Sequence, residues 1–217
     1  MAAASATMIG WALAASRRSW PPRAFGIAML VSAVAMVLIS GFELLPTALA
    51  QGLGAVQVAA WVVLGAMVVV AMHVIAERLE LGGSTLGRSA LLVAVAIGLH
   101  NVPEGAAPLA AALLSWPAGV VTAVAVGLHN IPEGIAVSAP VLASGGSRTR
   151  AFWYTAIATV GEISGAVLAL LFAGALTDSR TAALLAMVAG IMITLSVVEL
   201  APAGLGLLRA SAPTLDS

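Results

Sequence analysis

The chain contains no cysteine, no lysine and a single tyrosine, and only 8% of its residues are charged. Without cysteine there is no disulfide, no thiolate nucleophile and no Cys-ligated metal, so any bound metal falls to His, Asn, Met or carboxylates. Nine arginines balance nine acids to a net charge of zero, which leaves no electrostatic footprint for nucleic acid. A soluble domain carries roughly a quarter charged residues. At 61% hydrophobic over 217 residues, with a mean hydropathy of +1.10, a water-soluble globule is excluded.

What is present is a series of long apolar runs. A helix needs about 20 apolar residues to cross about 30 Å of hydrocarbon. Runs of this kind lie at 24–48, 56–76, 89–114, 118–142, 151–176 and 181–208, and a shorter one at 2–15 precedes them. A secretory signal would place its basic residues before its apolar stretch, whereas here Arg17, Arg18 and Arg23 follow it. The fold class expected is therefore all-α, a polytopic membrane bundle of about seven helices with a short first helix. The polar tail 210–217 is too short for an eighth. Residues 1–217 read as one transmembrane domain. Alternating sides puts eight arginines in one compartment and Arg180 alone in the other, so the positive-inside rule places the N-terminus outside and the C-terminus in the cytoplasm.

Two internal repeats stand out. Residues 95–105 read VAIGLHNVPEG and 124–134 read VAVGLHNIPEG, identical at nine of eleven positions with a shift of 29. The short connection between them puts both copies on adjacent antiparallel helices, facing each other near the bilayer midplane. The second repeat relates 36–46 (MVLISGFELLP) to 192–202 (MITLSVVELAP) at a shift of 156, on helices that run in opposite directions. Inverted repeats around a midplane polar site are characteristic of secondary transporters.

Ionisable groups inside a span cost several kcal/mol and call for a partner or a function. His100 and Glu104 lie at i and i+4 on one helix face, and His129 and Glu133 repeat the arrangement on the next helix. Imidazole nitrogen and carboxylate oxygen suit a borderline cation such as zinc, with Asn101 and Asn130 adding amide oxygens and Glu162 a further carboxylate. Pro103 and Pro132 free the carbonyls of Leu99 and Leu128. The glycines at 98, 105, 127 and 134 permit local unwinding or close helix approach. The competing reading is an interhelical hydrogen-bond network, but several buried carboxylates repel one another unless a cation or protons compensate, which favours a cation site.

Other candidates are open to two readings each. Glu43 and Glu199 lie near opposite membrane faces, as interfacial carboxylates or as stations where ions enter or leave. His73 and Glu77, again at i and i+4, sit at the cytoplasmic end of the third span, where a release-side metal role competes with local polar contacts. Met36 and Met192 are core filler or soft thioether ligands.

The doubled His-Asn-x-Pro-Glu-Gly, the Gly161-Glu162-x-x-Gly165-Ala166 sequence and the paired Met…Glu-Leu-x-Pro helices together resemble the Zrt-, Irt-like (ZIP) divalent-metal transporters, the bacterial members above all. The resemblance spans about 25–202. It implies a three-two-three inverted arrangement in which helices 2, 4, 5 and 7 form the core and metal binds between helices 4 and 5. It further implies His100, Glu104, His129 and Glu133 as the main site, with Asn101, Asn130 and Glu162 completing a second position and Met36 at a helix-2 ligand position. Zinc, iron(II) or manganese is the expected cargo, moved into the cytoplasm by an elevator-like shift, and a homodimer is a further expectation. The chain departs from the family where many members carry a second His in the fifth-helix motif, since Glu133 and Gly134 stand there. The loop 80–88 has no His.

Zinc uptake through a multi-pass cell (inner) membrane protein is thus the leading expectation, with cobalt, nickel and cadmium also chemically allowed. The alternatives are an intramembrane metal-dependent hydrolase, against which stands the lack of His-Glu-x-x-His, and a ZIP-like protein that does not transport.

Overall fold

The computed structural model describes residues 2–16, 21–78, 85–143 and 145–211. The side chains at 2–3, 76–77, 85–96, 99–100, 140 and 143 lie outside that description, and with them those of His100 and Glu77. Arg17 and Arg18 and the loop 80–84 also fall outside the described residues. Among the described residues the chain forms seven helical spans: α1 (Ala2–Ser16), α2 (Pro22–Ala50), α3 (Ala55–Arg78), α4 (Thr85–Leu114), α5 (Trp116–Ala143), α6 (Arg148–Leu171) and α7 (Asp178–Ala210). Five of them, α2, α3, α5, α6 and α7, contain stretches long and apolar enough to cross a membrane. The chain is a multi-pass membrane protein.

Local chemistry sets the helix ends. Pro22 starts α2, where its missing N–H costs nothing and its fixed φ already suits the helix. Ser147 caps α6 by accepting from the Arg150 N–H at 3.1 Å, and Thr177 caps α7 by accepting from the Arg180 N–H at 3.4 Å. Asp178 in the first turn of α7 complements its dipole. Gly52 and Gly145 take φ of 88° and 78°, which lets the chain turn after α2 and after α5. The sequence puts the end of α6 at 176. It ends instead at Leu171, because a 3-10 turn at Ala173–Ala175 takes over and the Arg180 guanidinium donates to the Ala175 carbonyl at 2.9 Å.

The prolines act differently from one helix to the next. α4 runs unbroken through Pro103 and Pro108, and α5 through Pro132. Of the two options the flanking glycines allow, close approach is therefore the one used. In α2 and α7 the helix widens into one π turn, Ser40–Leu44 and Ser196–Leu200, where the Leu45 and Ala201 N–H groups donate to carbonyls five residues back. Pro46 and Pro202 have no N–H, and their rings crowd the carbonyl four residues earlier. The Ser40 and Ser196 hydroxyls also draw on the Met36 and Met192 carbonyls, at 2.8 and 2.7 Å. Together these effects loosen the ladder at one place in each helix. Neither π turn was legible as such in the sequence.

The helices pack as a ring with flanks. α2 lies along α5, α5 along α4, α4 along α7, and α7 along α2, so helices 2, 4, 5 and 7 are central as the resemblance implies. α1 and α6 flank α4 and α5, while α3 flanks α7. An apolar cluster of Ala33, Met36, Leu44, Val69, Ala107, Leu185, Val188, Met192 and Leu195 fills one half of the ring.

Candidate metal centre

Backbone approach between α4 and α6 comes first, since it decides where the polar groups meet. A Cβ on Gly105 would strike the Glu162 carbonyl, one on Gly161 the Gly98 carbonyl, and one on Gly165 the Val102 carbonyl. Only glycine allows these backbones to touch. Glu162 is thereby seated beside the two repeat motifs. On the other side of α5, Gly134 meets the Thr7 carbonyl of α1, and Gly10 meets the Ile131 carbonyl. Gly134, directly after Glu133, is thus a backbone contact with the short first helix.

The resulting polar layer is fully enclosed: Asn101, Glu104, His129, Asn130, Glu133 and Glu162 are all buried. His129 Nε2 lies 3.4 Å from Glu104 Oε2 and 4.0 Å from Glu133 Oε2. One ligand atom from each of Glu104, His129 and Glu133 falls within 4.8 Å of the other two. Donors bound at about 2.0–2.1 Å to a tetrahedral zinc are about 3.4 Å apart, so small side-chain adjustments close this triad on a cation. Asn130 Nδ2 donates to Glu162 Oε2 at 2.7 Å, and Asn101 Nδ2 donates to the Ala158 carbonyl at 3.2 Å. The Asn101 Oδ1 and His129 Nδ1 atoms are buried without a hydrogen-bond partner among the described residues. Burying acceptors in this way costs a few kcal/mol unless something else satisfies them, and a cation or its bound water is the natural complement.

Two cavities adjoin this layer. One of about 410 Å³, lined by Met29, Ile97, Ala136, Leu195, Glu199 and Leu207, begins one turn from Asn101 and Glu133 and extends to the end of the bundle that carries Arg23 and Arg209. The other, about 310 Å³, is lined by Glu162, Gly105, Pro108 and Trp116. Towards the opposite end of the ring lies the apolar cluster that includes Leu44, Ala107 and Leu185.

The remaining candidates are dispersed. His73 Nδ1 pairs with Glu199 Oε1 at 3.2 Å, so α3 and the π turn of α7 meet through side chains 126 residues apart. The i, i+4 relation with Glu77 expected from the sequence falls on a side chain outside the described residues. Glu43 is half-buried in the π turn of α2. Met36 and Met192 are fully buried among apolar neighbours. Sequence reasoning missed the Ala158 carbonyl that holds Asn101, because a backbone acceptor on a distant helix leaves no residue-type signal. The Gly10–Gly134 contact was missed for a similar reason, although glycine at both positions was visible.

Residues 75–206 match the family model described as ZIP zinc transporter. Proteins named zinc transporter ZupT are similar along nearly the whole chain. That of Salmonella newport is 36% identical over 212 residues, covering 92% of this chain and 82% of the relative, and that of Escherichia fergusonii is 37% identical over the same coverage. The Salmonella typhimurium protein of that name is 36% identical. A buried Glu-His-Glu group on two antiparallel helices, written twice by one motif and matched over this length, identifies the chain as a bacterial-type member of the ZIP zinc transporter family.

Proposed function

We propose that the chain carries zinc across the inner membrane into the cytoplasm, binding it between α4 and α5 on Glu104, His129 and Glu133. The observation that carries this reading is the convergence of that triad in a fully buried layer. His100, from the first copy of the motif, and Asn101 complete the shell, and Asn130 with Glu162 forms a second oxygen position beside it. The orientation proposed follows the arginines: N-terminus outside, C-terminus in the cytoplasm. The 410 Å³ cavity then opens the site towards the cytoplasm while the Leu44 cluster shuts the outer side, an inward-facing state. His73 and Glu199 stand near its exit as a release station, and Glu43 occupies the repeat-related position near the outer face. Met36, packed beside Glu43's π turn, supplies a soft donor when α2 shifts.

Iron(II), manganese, cobalt, nickel and cadmium are compatible with the same nitrogen and oxygen donors. A family of transporters rather than enzymes removes the hydrolase alternative. The test is zinc uptake into proteoliposomes holding the purified chain. Saturable flux supports the carrier, and zinc binding without flux overturns it in favour of a ZIP-like protein that does not transport.

Two expectations accompany it. Ligand imidazole and carboxylate groups must be deprotonated to bind a cation, so uptake is highest near neutral pH and falls as the medium is acidified below about pH 6. Flux measured against external pH checks this, and a rise on acidification would contradict it. Asn130→Ala removes the donor that holds Glu162 in place. Zinc binding should weaken about 10–100-fold, read by equilibrium titration with a competing chelator.

A further inference from the structure

Hydroxyls on these helices have a usual partner. Those of Ser40, Ser138, Thr155, Thr159, Ser164 and Ser196 each donate to the carbonyl four residues back. Among the described residues four buried hydroxyls have no partner: Thr7, Ser32, Thr122 and Thr181. Ser32 and Thr181 stand next to Ala33 and Ala182 of the apolar clusters, and Thr122 lies seven residues before His129 on α5. Thr7 differs from these, because α1 carries it from outside the ring to the level of the second motif copy. One turn after it, Gly10 lies against the Ile131 carbonyl, and the Thr7 carbonyl itself lies against Gly134. One turn before it, Ala4 lines the 310 Å³ cavity together with Gly105, Glu162 and Ile163. Further along, Trp11 fixes α1 on α6, its Nε1 donating to the Arg148 carbonyl at 3.2 Å and its ring edge-on to Phe152. Thr7 is thus held, wholly buried, where α1 packs on α5 and α6, bracketed by the neighbours of the Asn130–Glu162 hydrogen bond.

We propose that Thr7 is a positioning residue of the transport site, its hydroxyl accepting from a water carried by a cation at the Asn130–Glu162 position. The inference rests on the carrier reading above. A cation held there by one carboxylate and one amide oxygen keeps water on its remaining positions, and that water needs an acceptor in a layer closed to bulk solvent. A hydroxyl oxygen offers two lone pairs. Left unpaired in the empty site it costs free energy, which the cation's water recovers, so one atom couples the short first helix to occupancy. Gly10 and Gly134 make the contact possible, since a side chain at either would push α1 off α5 and take the hydroxyl with it.

Two variants separate the hydroxyl from the shape of the side chain. Thr7→Val keeps the branched shape and loses the hydroxyl, whereas Thr7→Ser keeps the hydroxyl and loses the methyl group. Zinc is titrated into the purified full chain against a competing chelator, beside metal-free thermal unfolding and zinc uptake into proteoliposomes. The proposal expects Thr7→Val to bind zinc about 10-fold more weakly, with Thr7→Ser within about 2-fold of the parent. The valine variant should need a correspondingly higher zinc concentration for half-maximal uptake, yet melt no lower than the parent when metal-free. Equal zinc affinity in the parent and Thr7→Val overturns the proposal. So does a serine variant as weak as the valine one, or a valine variant that melts well below the parent, either of which makes Thr7 a packing residue. The Glu104→Ala, Glu133→Ala double variant keeps the two readings apart. If it binds zinc like the parent, the carrier site is misplaced and this proposal falls with it; if it does not, and Thr7→Val binds normally, the role of Thr7 alone falls.

Discussion

Replacing Glu104 and Glu133 together by Ala abolishes zinc flux while leaving the bundle folded. Both carboxylates are fully buried and each approaches His129 Nε2, at 3.4 and 4.0 Å. They supply two of the three donors that the structure brings within 4.8 Å of one another. Loss of a group that merely orients a ligand costs about 10–100-fold in affinity, so loss of two ligands lowers transport by about 100-fold or more, to the background of empty vesicles. Stability should respond with the opposite sign from an ordinary core truncation. With no cation bound, the carboxylates of one buried layer repel each other, and removing two of them relieves that repulsion. The metal-free variant should therefore melt at or above the temperature of the metal-free parent. The parent gains stability when zinc is added, by about 2.7 kcal/mol at a concentration 100 times its dissociation constant, and the variant gains none. Thermal unfolding with and without zinc, beside proteoliposome uptake, separates this outcome from misfolding. A variant that melts far below the parent would make the two carboxylates structural, and one that still carries zinc would move the site elsewhere.

The second large effect comes from a residue with no side chain. Gly105→Ala puts a methyl group where the Glu162 carbonyl lies. The obstacle is backbone on both sides, so no rotamer change relieves it and α4 has to separate from α6. Overpacking of this kind costs about 1–3 kcal/mol, which lowers the thermal midpoint by about 2–12 °C for a chain of this length. The separation also draws Glu162 away from Asn130, whose amide holds it at 2.7 Å. Zinc affinity should then fall together with stability, although residue 105 is no ligand. Gly206→Ala in α7 is the control, since nothing lies within 4 Å of the position where its Cβ would be. There the better helix propensity of alanine leaves stability unchanged or raises it by about 0.5–1 kcal/mol. Equal losses from both variants would show that glycine matters at 105 for chain flexibility and not for close approach.

Much of the molecule is written locally. Apolar run length against bilayer thickness delimits the spans, because a helix in hydrocarbon has to satisfy its own backbone. The doubled motif gives the candidate ligand types and, through its i, i+4 spacing, the helix face they share. The shift of 156 residues relates α2 to α7 before any coordinates exist. These features are legible because each depends on residues close in sequence, or on identity between two copies.

Other features depend on which helix lies beside which, and only the tertiary structure decides that. Glu162 joins the site because glycines on α4 and α6 let two backbones touch, and no spacing rule names their register. His73 meets Glu199 across 126 residues, a contact that no local spacing announces. Pro46 and Pro202 each follow a π turn, whereas Pro103 and Pro132 leave their helices whole, so the outcome of a proline rests on its surroundings as much as on its ring. The sequence by itself determined the membrane setting, the helices and the family. The packing of backbone against backbone decided how Glu162 comes beside the repeat motifs, where the cavity beside Asn101 and Glu133 lies and which face of α2 is left bare, because such contacts are made by carbonyls and missing side chains that carry no residue-type signature.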